Sequence, residues 1–90
     1  MIAEINAVIR TDGTTEPLPD GELSLEFMKG VVDGYIEIVP IGKNLYLVCN
    51  EEGKLIGLPP NPTATIMCLA FGFINEIVGN AIICTRDKIK

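Results

Sequence analysis

Apolar and polar positions alternate between Ile2 and Arg10. Ala3, Ile5, Ala7 and Ile9 share one face; Glu4, Asn6, Val8 and Arg10 share the other, which is largely polar. A period of two predicts a half-buried strand. Thr11-Asp12-Gly13 supplies turn chemistry at its end. Residues 14–22 hold two prolines, one glycine and three carboxylates, and they read as a loop. The period then changes. Leu25, Met28 and Val32 recur at helical spacing, with Phe27 and Val31 on an adjoining stripe. Ser24 is placed to cap this helix, and Glu26 suits its positively polarised first turn. Gly34 is placed to end it in a left-handed conformation. Gly30 inside so short a helix costs about 1 kcal/mol relative to alanine; close packing against a strand would account for it.

Tyr35 to Ile41 returns to the strand pattern, with Ile36 and Ile38 on one face and Tyr35, Glu37 and Val39 on the other. Pro40 points to a strand end or a sheet edge. Gly42-Lys43-Asn44 reverses the chain. Leu45 to Cys49 is apolar on both faces, the mark of a more central strand. Together the two strands predict a hairpin. Glu51-Glu52-Gly53-Lys54 reads as a turn with Gly53 available for positive φ, and Leu55-Ile56-Gly57-Leu58 as a brief extended piece. Pro59 and Pro60 stiffen the chain in extended form. Asn61 before Pro62 is a strong helix start, because Asn caps free N–H groups and proline at the first position loses no bond. This predicts a short buried helix over 62–70; the β-branched Thr63, Thr65 and Ile66 leave a strand as the alternative. Ala81 to Thr85 is a final strand, and 86–90 a charged tail. The expected fold is one small α+β domain over 1–90. It has a mixed, mainly antiparallel four-stranded sheet with one or two short helices, in the order β-α-β-β-α-β.

Composition narrows the function. Hydrophobic residues make up 48% of the 90 residues and charged ones 21%, which argues against disorder. A chain this short buries only about 60–65% of its unfolded surface, so a homo-oligomer is expected to cover part of the apolar exterior. The net charge is −5. Residues 1–42 contain eight acidic and two basic side chains, and the remainder four acidic and five basic ones. An acidic chain repels a phosphate backbone, so direct nucleic-acid binding is not expected. The N-terminus lacks a basic region before an apolar run. The longest apolar stretch, Ile66–Ile74, is too short to span a bilayer that needs about 20 residues. A cytoplasmic protein without membrane contact is the expectation.

Candidate chemistry is sparse. Histidine is absent, which excludes Cys-His and Ser-His-Asp catalysis within one chain and any His-based metal cluster. No phosphate-binding glycine loop or calcium-loop spacing is present, and no cofactor is implied. Cys49, Cys68 and Cys84 are widely spaced among apolar residues and read as three buried thiols. What is left is the segment from Asn50 to Asn61. Glu51 and Glu52 are paired carboxylates that ordinarily diverge into solvent from a turn, yet could form a cation- or amine-binding rim. Lys54 could hold an anion, though a solvated lysine is the ordinary reading. Asn50 and Asn61 flank glycine- and proline-rich backbone, where an amide can satisfy loose N–H groups or face a ligand. Tyr35 and Tyr46 read as cross-strand packing residues that could also stack a ring.

The run Ser24-Leu25-Glu26 through Val31-Val32-Asp33-Gly34-Tyr35-Ile36-Glu37, with Asn50-Glu51-Glu52-Gly53-Lys54-Leu55, Leu58-Pro59-Pro60-Asn61 and Ile77-Val78-Gly79, resembles a family of small uncharacterised domains of Firmicutes, their phages and conjugative elements. The resemblance covers about residues 20–85. Asp33 stands where that pattern commonly has glycine, and Pro62 where a basic residue is frequent. The resemblance implies a bacterial, mobile-element setting and no agreed activity. Three functions stay open: a non-enzymatic, self-associating interaction module with an unidentified protein partner, a small-ligand binder using the Asn50–Asn61 loop, and an enzyme working with backbone and carboxylate groups.

Overall fold

The computed structural model describes residues 5–89. Its centre is a five-stranded antiparallel sheet in the order β2-β1-β5-β4-β3. The strands are β1 (Ala7–Ile9), β2 (Thr15–Pro17), β3 (Ile36–Gly42), β4 (Leu45–Asn50) and β5 (Ala81–Thr85). Helix α1 (Leu25–Val32) covers one face and α2 (Pro62–Ala70) contributes to the core on the other. Each face buries its own cluster. Ala7, Ile9, Leu45, Leu47, Ala81 and Ile83 meet Ala64, Met67 and Cys68 of α2. Val8, Val48, Ile82 and Cys84 meet Met28, Val31 and Val32 of α1. Alternation along each strand thus feeds two cores, as period-two geometry requires.

This arrangement corrects the reading of the first strand. Val8 lies on the predicted polar face yet is buried, because α1 covers that face too. Regular pairing also begins only at Ala7. Asn6 is left-handed (φ 59°), and its Oδ1 accepts a bond from the Thr85 N–H at 2.9 Å. Residues 2–4 of the expected strand lie outside the described residues.

The fifth strand is the largest departure. Thr15–Pro17 reads as loop in the sequence but pairs with β1 in the fold. The turn before it stands where the sequence predicts it. Asp12 Oδ1 accepts from the Thr14 N–H at 2.9 Å and from its hydroxyl at 2.7 Å, and Gly13 takes φ 91°. Arg10 and Glu16 then form a two-bond ion pair across the hairpin, at 2.9 and 3.0 Å. The hydrogen bond from Arg10 holds the Glu16 carboxyl below its usual range. All three β2 residues are exposed, so no hydrophobic period marks them. Pro17 sits where an edge strand tolerates proline.

Pro40 marks the other edge. The Glu51 N–H bonds to the Tyr35 carbonyl at 2.9 Å. By antiparallel alternation, Glu37/Cys49 and Val39/Leu47 are then hydrogen-bonded pairs. The Pro40 backbone therefore faces away from β4, where its missing N–H breaks no ladder bond.

Helix ends follow local chemistry, with three revisions. Ser24 caps α1 as expected, its Oγ accepting from the Phe27 N–H at 3.0 Å. The left-handed residue that ends α1 is Asp33 (φ 63°, ψ 48°), not Gly34. Glycine would suit that conformation better than aspartate. Gly34 is needed for another reason: a Cβ there would stand 2.7 Å from Asn50 Nδ2. Gly30 is exposed, and a Cβ at that position would meet nothing within 4 Å, so close packing does not explain it. Residues 62–70 are helical. Gly72 (φ 90°) ends that helix, its N–H bonding Leu69 O while the Phe73 N–H bonds Cys68 O, the Schellman arrangement. Finally, residues 86–88 of the expected charged tail form a 3-10 turn. The carbonyl of Lys88 accepts the Leu23 N–H at 2.7 Å, and Ile89 packs on the α1-side cluster.

Candidate functional site

The segment Asn50–Asn61 leaves β4 and delivers the chain to α2. Each asparagine is consumed by backbone groups. Asn50, at the end of β4, donates from Nδ2 to the carbonyls of Val32 (3.0 Å) and Asp33 (3.3 Å) and accepts the Glu52 N–H at 2.8 Å. It thereby closes the C-terminus of α1, whose last carbonyls lack intrahelical partners. Asn61 is fully buried. Its Oδ1 accepts the Ala64 N–H at 3.0 Å, and Nδ2 donates to Ile9 O and Gly79 O, both at 2.9 Å. One amide caps α2 and ties it to β1 and to the turn before β5.

Between them the chain is coiled, which corrects the extended piece expected at Leu55–Leu58. The Ile56 N–H bonds Glu52 O, Gly57 bonds Lys54 O and Leu58 bonds Gly53 O. With Gly57 at φ 72°, this is one helical turn closed by a Schellman motif. Gly53 does not use positive φ. Its lack of a side chain serves packing, since a Cβ would lie 2.9 Å from Val78 Cγ2. Pro59 and Pro60 are extended as expected: Pro60 bridges Val78, and Pro59 O accepts the Gly79 N–H at 2.7 Å.

On the α2 face of the sheet, beyond the end of that helix, a cleft of about 400 Å³ opens beside β3. Its floor includes Val39, Leu47, Cys49 and Ile77, and Glu37, Glu51 and Glu76 bring carboxylates to it. Lys54 also lines it, its Nζ donating to Asn75 Oδ1 at 2.9 Å. Of the five candidate residues, Asn50, Glu51 and Lys54 line this cleft. Glu52 and Asn61 do not. Sequence reasoning misses Glu37, Asn75 and Glu76. Glu37 has one signal in the sequence, as the single charge on a strand face otherwise shared with Tyr35 and Val39. Its meeting with Cys49 depends on the strand register Glu37↔Cys49.

The cysteines divide between the two faces. Cys68 and Cys49 belong to the α2 side and Cys84 to the α1 side, all as free thiols. Cys49 corrects the expectation of three buried thiols: it is only half-buried, at the cleft floor. Burial pushes its thiol up to about 11, with Glu37 adding to the rise and Lys54 opposing it. So high a value leaves little thiolate near neutrality, which disfavours a nucleophilic role. Among the described residues no group of three His, Cys, Asp or Glu side chains is placed to hold a metal ion. Tyr35 is exposed beneath Lys29, whose Nζ lies 5.4 Å from the ring centroid. Tyr46 packs against the α1-side cluster.

With that geometry in place, comparison with known families adds one finding. A profile described as a domain of unknown function, DUF3846, matches residues 5–90. The chain belongs to the DUF3846 family. No curated protein matches it, and no solved structure does. The DUF3846 match spans all five strands, both helices and the cleft, so the whole architecture described above is that of the family's domain in this chain. No helix among the described residues is long and apolar enough to cross a membrane.

Proposed function

We propose that this DUF3846 domain is a non-enzymatic interaction module that self-associates through the outward face of α2 and the turn after it. The observation that carries this reading is a surface without charge. Residues 55–75 contain no Asp, Glu, Lys or Arg. Helix α2 is apolar on nearly every side, but only Ala64, Met67 and Cys68 are buried. Ile66 (66% exposed), Leu69 and, beyond the helix, Phe71 and Ile74 (83% exposed) remain outside. Ile66 and Leu69 are neighbours at helical spacing three. Leu69 and Ile74 share a shallow hollow of about 320 Å³ with Thr65.

A second copy is the occupant that fits. A chain of net charge −5 repels its own kind. This face, whose hollow meets a single carboxylate at Glu76, is where two copies approach with little repulsion. Each exposed aliphatic side chain offers on the order of 100 Å², so the patch supplies roughly 300 Å² of the ~800 Å² per partner in a standard interface. A two-fold contact would set α2 against α2 and double that apolar centre. Both sheet edges are protected by contrast: β2 is short and carries Pro17, and β3 carries Pro40 and the charge of Glu37. The motif resemblance supports a bacterial or mobile-element cytoplasm as the setting.

Sedimentation velocity tests the proposal. The expected mass is twice the 9.7 kDa of the chain. Ile66→Glu and Ile74→Lys are expected to return it to the monomer without changing the circular dichroism. A monomer at every concentration up to about millimolar sinks the reading, since weak association has a Kd near that value.

A further inference from the structure

We propose that the cleft beside β3 binds an organic cation with a short apolar stem, an alkylammonium or alkylguanidinium group. The inference does not rest on self-association: the cleft is built on β3, β4 and the turn after β4, and it shares only Asn75 and Glu76 with the hollow beside α2.

Two properties of the cleft select this chemistry. The first is its floor. Val39 and Cys49 are half-buried, Leu47 and Ile77 are buried, and none carries a charge. At about 400 Å³ the space lies within the range of small-molecule pockets. The second is the balance of charge at its walls. Three carboxylates, Glu37, Glu51 and Glu76, line the cleft with one ammonium, Lys54. Lys54 is already directed to the Asn75 amide oxygen. An anion would meet three like charges against one opposite charge, whereas a cation gains net attraction. A fully polar cation would leave the floor unused. A stem of about four to six methylenes with a positive head satisfies both.

The walls hold still enough to be a site. Glu37 is fixed by β3–β4 pairing opposite Cys49. Lys54 sits in the turn closed by Gly57, and Asn50 anchors that turn by its bond to the Glu52 N–H. Ile77 is anchored by its N–H to Thr65 Oγ1 at 2.9 Å and by its carbonyl to the Asn61 N–H at 2.8 Å. A preformed cleft spends little of the binding energy on ordering.

The experiment is a set of NMR titrations of the ¹⁵N-labelled chain with hexylammonium, hexanol and hexanoate. Hexylammonium is expected to give saturable shifts at Glu37, Cys49, Lys54 and Asn75, and to bind at least about fivefold more tightly than hexanol. Hexanoate is expected to bind most weakly. Shortening the ammonium probe by one methylene should weaken it about fourfold. Glu37→Gln with Glu76→Gln should abolish the preference for ammonium over hexanol, and both residues are exposed, so the fold should persist. A blocked lysine, N-acetyl-lysine methylamide, tests whether the cation belongs to a protein side chain or a free amine; the tighter of the two names the source. Equal binding of hexanol, tighter binding of hexanoate, absence of saturation, or shifts confined to Ile66 and Leu69 would overturn the proposal.

Discussion

Replacing Asn61 by alanine removes three hydrogen bonds from a fully buried amide. Loss of the cap on α2 costs about 1 kcal/mol. The carbonyls of Ile9 and Gly79 lose the Nδ2 donor, and a buried group stripped of its partner costs about 1–3 kcal/mol. Even at the low end for each carbonyl the sum is about 3 kcal/mol, and about 5 if neither is reached by water. A 90-residue domain has a total stability of roughly 5–14 kcal/mol, so the variant should lose about a fifth of it or more. Urea unfolding followed by circular dichroism reads this as a lower midpoint at unchanged slope. Asn61→Asp separates the two contributions. It keeps the acceptor for the Ala64 N–H but turns a carboxylate oxygen toward two carbonyls, and it should be at least as damaging. A loss under about 1 kcal/mol for Asn61→Ala, or an Asn61→Asp variant as stable as the parent, would refute the reasoning.

Stability should also respond at the end of α1 and to alkaline pH. Gly30→Ala should raise stability by about 1 kcal/mol, because the position is exposed with open space around it; Asp33→Gly should add to it by relieving the left-handed φ, and a fall in the urea midpoint for the pair would count against both. Alkaline pH should destabilise the domain. Burial pushes Cys49, Cys68 and Cys84 each up to about 11, from an ordinary value of 9.0. A folded-state value above the unfolded one gives stability that is present in full below about pH 9 and is lost as pH rises through about 11. The urea midpoint should therefore fall between about pH 9 and 11, less steeply in Cys68→Ala with Cys84→Ala, and an unchanged slope in that variant would contradict the assignment.

The parts of this fold that are legible in the sequence share a cause. Strands β4 and β5 are apolar at successive positions because both faces are covered. Ser24 and Asn61 act within three residues of their own positions, at Phe27 and Ala64, so local chemistry alone predicts them. What the sequence hides depends on partners far along the chain. Strand β2 exists because β1 offers it an edge, and its own residues carry no burial signal. Val8 reads as solvent-facing because nothing nearby announces that Met28, Val31 and Val32 of α1 cover it. The turn at Leu55–Leu58 reads as extended because its apolar residues suggest a strand. Instead Leu55 and Ile56 face solvent and Gly57 closes the turn. The cleft is legible only at Asn50, Glu51 and Lys54; Glu37 and Glu76 reach it through strand pairing and the return of the chain after α2.

The asparagines bear on how function is divided over this surface. In sequence, Asn50 and Asn61 flank glycine- and proline-rich backbone, where an amide either satisfies loose backbone groups or faces a ligand. Their amides hold α1, α2, β1 and the turn before β5 in place, the first of those two roles. Asn50 lines the cleft and bonds the turn that carries Glu51 and Lys54, while Asn61 lies outside the cleft. The outer face of α2 stands in the opposite relation to the fold. Ile66 and Ile74 add apolar surface but no core contact, so folding gives no reason for them to be apolar. Changes at Asn61 should therefore act through stability, while changes at Ile66 or Ile74 should act through association alone. A residue whose substitution separates the two properties in that way reports an interface rather than a core.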